Sequence, residues 1–219
     1  MRKPSNYIIR AIMYLAGLAI MTLGVAISIK SNLGVSPVSS IPYSINLIWG
    51  LEMGTATIVF HIVLVCIQVA LLRKKFVAKN LLQVPVGVLF GGLTTWALGV
   101  AASFPNPDGI VQQVLFSLVS TVIVAFGIFL YVPADYIPLA GEGTMLAVSQ
   151  ISGIKFSTVK IAFDISMVVI SLVACLALLH TIGSVGVGTI VAAVLVGVWL
   201  KLITRALGSF RDRILAIGV

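Results

Sequence analysis

Residues 54–61 read Gly-Thr-Ala-Thr-Ile-Val-Phe-His, and residues 157–164 read Ser-Thr-Val-Lys-Ile-Ala-Phe-Asp. The two stretches lie 103 positions apart, since 157 − 54 = 103, and the same shift aligns the segments that follow them without a gap, placing Trp96 on Trp199. A tryptophan match outweighs matches among Val, Ile and Leu, because the chain has only three tryptophans. The shift therefore predicts that the chain is built from an internal repeat.

Both stretches lie inside long apolar runs. Sixty per cent of the 219 residues are hydrophobic and 9% are charged, whereas an ordinary soluble domain has roughly 25% charged residues. So few charges cannot cover a water-facing surface. Each apolar run is also close to the roughly 20 residues that an α-helix needs to cross the hydrocarbon core of a bilayer. The composition therefore predicts a protein that folds in contact with the lipid bilayer.

The apolar runs predict about six transmembrane helices, placed at residues 7–29, 54–72, 81–103, 111–131, 157–180 and 185–207. With the repeat, they divide the chain into a first three-helix unit at 1–103, a linker at 104–110 and a second three-helix unit at 111–219. Three is an odd number, so the second unit enters the membrane from the side opposite to the first. The predicted fold class is an all-α polytopic transmembrane helix bundle made of two inverted three-helix repeats, the layout of many secondary transporters.

Two segments between these helices are long, yet they are not polar enough to be solvated loops. Residues 31–53 and 132–156 each contain a Gly/Pro/Ser stretch followed by one or two helical turns of apolar residues. That composition is typical of a re-entrant or broken segment, whose unwound backbone must be buried in protein or line a cavity. The alternative is an amphipathic helix that lies flat at the membrane interface. We expect 31–53 to enter from outside and 132–156 to enter from the cytoplasm.

Basic residues mark the ends of the apolar runs. With six helices, one side of the membrane receives Arg2, Lys3, Arg10, Arg73, Lys74, Lys75, Lys79, Lys155, Lys160, Lys201, Arg205, Arg211 and Arg213. Only Lys30 falls on the other side. Because Lys and Arg are enriched in cytoplasmic loops, both termini are predicted to be cytoplasmic. The net charge of +8 is thus a topology signal and predicts no nucleic-acid partner.

Sequence motifs for catalysis and metal binding are not visible. Cys66 and Cys175 lie in separate apolar runs without a Cys-x-x-Cys spacing, which favours packing over a disulfide or a metal site. The sequence shows no zinc spacing, phosphate-binding loop, nucleophile elbow or catalytic dyad. We therefore predict that the protein is not an enzyme and that it uses no cofactor or metal.

Two ionisable residues lie well inside predicted helices, where a charge costs on the order of 3 kcal/mol or more. His61 and Asp164 are equivalent in the repeat, since 164 − 61 = 103. We predict that they form a polar pair lining a central pathway, where they bind substrate or exchange a proton. The alternative is that each is buried and satisfied by a neighbouring group. Lys160, one turn before Asp164, is predicted to form an ion pair with it or, preferably, to snorkel to the cytoplasmic surface.

The broken segments supply further candidates. Glu142 lies between two glycines, so a ligand or another backbone can approach closely, and its carboxylate could bind a cation or a cationic group. The alternative is an N-terminal helix cap at the cytoplasmic surface. In the other segment, Ser36 followed by Pro37 is typical of an N-cap and first helical position, and such a helix would direct its N–H groups at an anion or a carbonyl. The predicted substrate-binding residues are Ser36, Ser39, Ser40, His61, Glu142, Thr144, Lys160 and Asp164.

Small and amide residues inside the helices are assigned to packing. Gly87 and Gly91 form a G-x-x-x-G pattern that predicts close helix contact. Residues 188–192, Gly-Thr-Ile-Val-Ala, are a looser counterpart in the second half. Gln68 and Gln83 either add hydrogen bonds between helices or serve only in packing.

Several of these stretches resemble one known family. They are Asn-Leu-Gly-Val-Ser-Pro at 32–37, Leu-Leu-Gln-Val-Pro-Val-Gly at 81–87, Gly-Glu-Gly-Thr at 141–144, the run from Lys155 to Asp164, and Gly186 to Gly188 with Thr189. On these residues nearly the whole chain resembles the YczE/YyaS/YitT-like bacterial integral membrane proteins. The resemblance implies a multi-pass protein of about six helices in the bacterial cytoplasmic membrane. It implies an architecture rather than a substrate, because much of that family has no assigned substrate.

The architecture leads to a functional hypothesis. An inverted repeat can build two states of similar energy that open to opposite sides of the membrane. We predict a secondary transporter or exporter of a small polar or charged solute, in a chain that could assemble as a homo-oligomer. The alternative is a non-transporting membrane partner that scaffolds or regulates an enzyme or another membrane protein. Such a partner would have a dry bundle centre with no internal polar cavity.

Overall fold

The computed structural model describes residues 4–216 as a helical bundle, so that Arg2 and Lys3 lie outside the described residues. The helices are α1 (Pro4–Ser31), α2 (Pro37–Trp49), α3 (Met53–Leu72), α4 (Gln83–Ala102), α5 (Ile110–Tyr131), α6 (Ala140–Ser152), α7 (Phe156–Leu179) and α8 (Val187–Ala216). Short 3-10 turns cover Arg73–Lys75, Ala78–Leu82 and Val132–Ala134. Over this part of the chain there is no strand, which confirms the predicted all-α class.

Long and short helices follow the same order in both halves of the chain: long, short, long, long. Between residues 4 and 216, six helices, namely α1, α3, α4, α5, α7 and α8, are long and apolar enough to cross a membrane. The other two, α2 and α6, have 13 residues each. At a rise of 1.5 Å per residue they are about 20 Å long, too short to span the hydrocarbon core. They occupy the two segments that the sequence predicts to be broken.

Helix boundaries follow the 103-residue shift. Helix α2 begins at Pro37 and α6 at Ala140, while α3 begins at Met53 and α7 at Phe156. Both short helices end at an equivalent glycine in the left-handed region, with φ of 69° in the first half and 71° in the second. Glycine adopts this conformation without steric cost, which lets the chain turn at once into the next helix.

Helices α1 and α5 pack closely against each other. A Cβ on Gly17 would lie 2.6 Å from the backbone nitrogen of Tyr131, and a Cβ on Gly24 would lie 2.9 Å from that of Val124. A Cβ on Gly127 would lie 2.8 Å from the carbonyl oxygen of Gly17. Numbers rise along α1 as they fall along α5, so the two helices run antiparallel. Glycine lets the two backbones approach this closely.

The short helix α2 packs alongside α7. Ser40 Oγ lies 3.3 Å from the carbonyl oxygen of Met167 and accepts a hydrogen bond from Ser171 Oγ at 2.8 Å. One turn further along both helices, Cys175 Sγ donates to Ser44 Oγ at 3.4 Å. Residue numbers rise together, so α2 and α7 are parallel. Met167 is residue 12 of the 24 in α7, and α2 therefore starts beside the middle of a spanning helix.

The short helix α6 makes the equivalent contact with α3. Thr144 Oγ1 lies 3.3 Å from the carbonyl oxygen of Leu64, which is residue 12 of α3 and the repeat equivalent of Met167. Each short helix thus packs against the middle of a spanning helix from the other half of the chain. A helix lying flat at the membrane interface would not run along its neighbour in this way, so the contacts favour the broken-helix interpretation.

The centre of the bundle is apolar. Phe60 belongs to a buried hydrophobic cluster, and its repeat equivalent Phe163 packs against the same cluster. In the same region Val38 Cγ1 lies 3.6 Å from where a Cβ of Gly141 would be, and these two positions are also equivalent. Contacts between equivalent residues place the first turns of α2 and α6 side by side at the middle of the repeat.

Helix α8 extends beyond the predicted boundary. The sequence placed its end at residue 207, whereas the structure continues it to Ala216. Hydropathy ends the predicted span shortly before the charged residues 211–213, but the segment contains no proline that would stop the helix there. Arg211 lies over the ring of Phe129 on α5, 4.6 Å from its centroid, and so packs against the bundle while remaining charged.

The predicted glycine contacts occur in one half only. A Cβ on Gly87 would lie 2.7 Å from His61 Cβ, and one on Gly91 would meet Ile58, so α4 packs closely on α3 as expected. Gly188 instead donates its N–H to the carbonyl of Leu33 at 2.7 Å. The counterpart pattern therefore serves a loop contact rather than a contact between spanning helices.

Glu52 caps helix α3, a role that the sequence interpretation missed. Its carboxylate accepts hydrogen bonds from the backbone N–H of Gly54 at 2.8 Å and of Thr55 at 2.7 Å, and from Thr95 Oγ1 of α4 at 2.9 Å. Partial burial works to raise the pKa of this carboxyl, but the hydrogen bonds outweigh it and hold the pKa below its usual value. The residue ties the start of α3 to α4.

Replacing Glu52 by alanine should lower the stability of the protein by about 1 kcal/mol or less at neutral pH, because the cap is exposed. A folded-state pKa below the unfolded value gives stability that is present above the unfolded pKa and is lost as the pH falls through the folded pKa. The deficit should therefore shrink between about pH 7 and about pH 3. Thermal unfolding in detergent measures it, and an equal deficit at both pH values would contradict the charged cap.

Candidate functional site

His61 is held deep in the bundle between aromatic rings. Only 4% of the residue is exposed. Its ring stacks on Phe90 with centroids 5.6 Å apart and meets Phe60 edge-on at 6.2 Å. Gly87 faces the ring, and a side chain there would collide with it. Over residues 4–216, the buried Nδ1 of His61 has no hydrogen-bond partner.

A small cavity lies beside His61. Its volume is about 20 Å³, and its polar lining comes from Ser39, Thr57 and Thr94 together with His61. A space of this size holds one water molecule. The predicted site residues Ser39 and His61 therefore line the same cavity. In this conformation the cavity is too small for a solute larger than water.

The start of α2 matches its predicted position but not its predicted hydrogen bonds. Ser36 is the N-cap residue and Pro37 the first helical residue, as expected. The Ser36 hydroxyl donates to Ser39 Oγ at 3.0 Å and makes no cap hydrogen bond. Ser40, which was predicted to bind substrate, is fully buried against α7 and donates to the carbonyl of Pro37 at 2.6 Å.

Glu142 lies in the first turn of α6 and is bound by a tyrosine. Tyr131 Oη donates to Glu142 Oε2 at 2.6 Å and accepts a hydrogen bond from the backbone N–H of Leu139 at 2.6 Å. The N-cap position itself is Leu139, so Glu142 is not the cap that the alternative interpretation required. Tyr131 ends an apolar run, and nothing in the sequence distinguishes it from a packing residue.

Lys160 and Asp164 form an ion pair on α7. Lys160 Nζ lies 2.6 Å from Asp164 Oδ2, with side chains 50% and 20% exposed. The preferred prediction that Lys160 snorkels away is therefore wrong, because the carboxylate one turn further on lies within reach. Asp164 Oδ1 is buried and has no partner in the described part of the chain. The Lys160 ammonium also acts electrostatically on Glu142, but within residues 4–216 no ion pair or hydrogen bond joins the two; Glu142, Lys160 and Asp164 together are named the charged cluster.

His61 and Asp164, the predicted polar pair, have different neighbours. Within residues 4–216 no hydrogen bond joins them, since His61 faces α4 and the small cavity while Asp164 is held by Lys160. The shift of 103 residues relates the two positions, but it does not show which neighbours cover them. The same described range contains no group of three His, Cys, Asp or Glu residues that could hold a metal ion.

The cavity and the charged cluster occupy equivalent positions in the two halves. Each shifts by 103 residues onto the other: Ser39 onto Glu142, Thr57 onto Lys160, and His61 onto Asp164. One half therefore presents hydroxyls and an imidazole at these positions, and the other presents two carboxylates and an ammonium. Both sets lie beside the first turn of a short helix.

Thr144 belongs to a separate amide network. Gln68 and Gln83 are almost completely buried and bond to each other through both amides, at 2.8 and 3.2 Å. Gln68 Nε2 also lies 3.3 Å from Thr144 Oγ1. A Cβ on Gly143 would come within 2.5 Å of Gln83 Oε1, so glycine is needed there. Thr144 therefore joins α6 to α3 rather than lining the cavity.

Two stretches that carry the family resemblance pack against each other. The backbone N–H of Val35 donates to the carbonyl of Ser184 at 3.2 Å, and that of Gly188 donates to Leu33 at 2.7 Å. Thr189 Oγ1 accepts from the N–H of Gly186 at 3.2 Å. The unwound segment before α2 is thereby fixed to the start of α8.

The fold and these sites define a helical protein with six membrane-length segments and two buried short helices. The chain belongs to a family of unknown function, DUF6198, whose model matches residues 8–205. No curated protein and no solved structure matches the chain. The family match does not bear on the YczE/YyaS/YitT-like resemblance, which stays a prediction.

Proposed function

We propose that the protein is a secondary transporter or exporter of a small polar or charged solute. One observation carries the proposal: equivalent positions in the two halves hold polar groups, each set beside the first turn of a short helix that starts in the middle of the bundle. Intramembrane ionisable groups are expensive and usually mark solute or ion pathways. Short helices that end inside the membrane are a common way to build such sites.

We further propose that the two halves are inverted repeats in a bacterial cytoplasmic membrane, with both termini cytoplasmic. The antiparallel contact of α1 with α5 supports this arrangement, because these helices are equivalent in the repeat. Exchanging the roles of the two halves would then convert a state open to one side into a state open to the other.

The present conformation corresponds to a closed state of this transporter. The cavity beside His61 holds only one water molecule, and the apolar contact of Val38 with Gly141 lies between the first turns of α2 and α6. Solute would enter when these two turns separate. That motion would join the neutral site on α2 and the charged site on α6 into one space.

The charged cluster points to a solute with a cationic group. Glu142 and Asp164 bring two carboxylates to a single ammonium, that of Lys160. Glu142 has no ion-pair partner within residues 4–216, and a cationic group of the solute would provide one. The hydroxyl groups at the equivalent positions of the first half would bind a neutral polar part of the same solute.

A thermal-shift screen of the purified protein in detergent tests this proposal. Amines, amino acids and polyamines should include solutes that raise the unfolding temperature, because binding to the folded state alone stabilises it. Replacing Glu142 by glutamine together with Asp164 by asparagine should abolish the response. Asp108→Asn, in the exposed linker, is the matched control and should keep it. An unchanged response in the double variant would refute the site.

A non-transporting membrane partner is the second candidate. The observation that favours it is the closed, largely apolar centre, whose cavity is only about 20 Å³. It predicts that no solute of the panel shifts the unfolding temperature of the wild type, and that a partner protein does.

A further inference from the structure

His61 lines a space that can hold water, and its Nδ1 nitrogen lies close to Gly87 on α4. Its Nδ1 lacks a partner within the described chain although the residue is 4% exposed. Buried polar atoms in native proteins nearly always have a partner, either protein or ordered water. The adjoining cavity of about 20 Å³ is large enough for one water molecule and has the polar lining that such a water needs.

The hydroxyls around the cavity favour a ligand that donates hydrogen bonds. Thr57 Oγ1 already donates to the carbonyl of Met53 and Thr94 Oγ1 to that of Phe90, each at 2.8 Å. Their remaining lone pairs can only accept. Ser39 Oγ accepts from Ser36, which leaves the proton of Ser39 free to donate. A water molecule can donate to the threonines and accept from the serine.

No charged group lines this cavity. The lining residues come from α1, α2, α3 and α4, and none of them is Asp, Glu, Lys or Arg. An imidazolium would therefore lack a counter-charge while the cavity is closed, and burying an unpaired charge is strongly unfavourable. Its only compensation comes from the faces of Phe60 and Phe90. Protonation of His61 is thus coupled to opening of the cavity.

Asp164, at the equivalent position in the second half, differs from His61 because a charged group lies beside it. Asp164 has a counter-charge in Lys160, whose Nζ lies 2.6 Å from Asp164 Oδ2. His61 has no such counter-charge among the residues that line the cavity. This contrast singles out the first half as the place where a proton is taken up and given back.

We propose that His61, with one water molecule in this cavity, is the proton-binding site of the protein. When the cavity opens, a hydronium ion transfers its proton to a lone pair of the imidazole and leaves as water. When the imidazolium is next in contact with water, the N–H bond breaks and the proton passes to a water molecule. The products are the neutral imidazole and a hydronium ion. This inference rests on the proposed transport function and names the proton as its coupling ion.

Nitrogen NMR of histidine-labelled protein in lipid nanodiscs tests the site. The chain has two histidines, so His180→Gln leaves His61 as the only signal. The expected result is a neutral imidazole at about pH 7, a through-space contact to water protons, and reversible conversion to imidazolium on acidification while the protein stays folded. A ring without water contact, or one that stays neutral until the protein unfolds, would overturn the proposal.

Two neighbouring threonines provide a matched pair of variants. Thr94→Val removes a cavity hydroxyl with little change in volume and should weaken the water contact of His61. Thr95→Val changes the next residue, which faces Glu52 instead, and should leave the His61 signals as they are. Equal effects of both variants would contradict the assignment. These signals need no solute, so failure of the thermal-shift screen alone would reject solute transport without removing the proton site.

Discussion

Replacing Gly127 by valine should leave little or no folded protein in detergent extracts. A Cβ at this position would lie 2.7 Å from the backbone nitrogen of Met21 and 2.8 Å from the carbonyl oxygen of Gly17. Backbone atoms of a packed helix cannot rotate away as side chains can, so α1 and α5 would have to separate. We expect a loss of at least about 3 kcal/mol, the upper end of overpacking costs.

The matched control is Gly99→Val on α4, where a Cβ meets nothing within 4 Å. It adds the same side chain in another spanning helix and should fold like the wild type. Size-exclusion chromatography and the unfolding temperature compare the two variants. Normal behaviour of Gly127→Val would show that α1 and α5 are not in contact through their glycines.

Replacing Gln68 by leucine should destabilise the protein by about 2 kcal/mol, because it leaves the amide of Gln83 buried without its partner. In the wild type the two amides satisfy each other at 2.8 and 3.2 Å, inside a region with almost no exposure. Neither membrane lipid nor solvent can replace the lost hydrogen bonds. The unfolding temperature in detergent measures the loss.

The double variant separates the hydrogen bonds from packing. Replacing both glutamines by leucine removes both polar groups, so no amide is stranded, and the loss should be smaller than the sum of the two single losses. Gly143 lies directly against the pair, so the added leucines also test how much volume the contact between α3 and α6 tolerates. Strictly additive losses would contradict a mutual amide pair.

The overall helix pattern could be predicted because its signals are local. Length and hydropathy identify a spanning segment within itself, and the Gly and Pro residues around 31–37 mark a break without reference to any neighbour. The short helices α2 and α6 were therefore predictable from their own composition. The end of α8 was not, since Arg211 continues the helix by packing on Phe129 of α5, a contact that hydropathy does not encode.

The candidate site was predictable only in part. Polar residues inside apolar runs identify themselves, so His61, Glu142 and Asp164 could be found. Their neighbours depend on packing between distant segments, which explains why the aromatic rings around His61 and the role of Tyr131 were not predicted. Gln68 and Gln83 were recognised as interhelical residues, but their mutual bonding follows from the turn between α3 and α4 and has no sequence motif.

The 103-residue shift relates the two polar sites to each other. It does not state which residues touch, yet it relates the cavity of Ser39 and His61 to the cluster of Glu142 and Asp164 residue by residue. The two halves thus keep one backbone plan while one site is neutral and the other charged. Under the transport proposal, this difference gives the two ends of the pathway different affinities for the same solute.

Sided labelling of two equivalent positions tests the central claim that the halves have opposite orientations. Leu51 and Ile154 are exposed, follow the two short helices and differ by 103 in number. Each is replaced by cysteine after Cys66 and Cys175 have been changed to alanine, and intact cells are treated with a membrane-impermeant maleimide. The account predicts labelling of Leu51→Cys in intact cells and of Ile154→Cys only after the cells are opened. Labelling of both from the same side would contradict it.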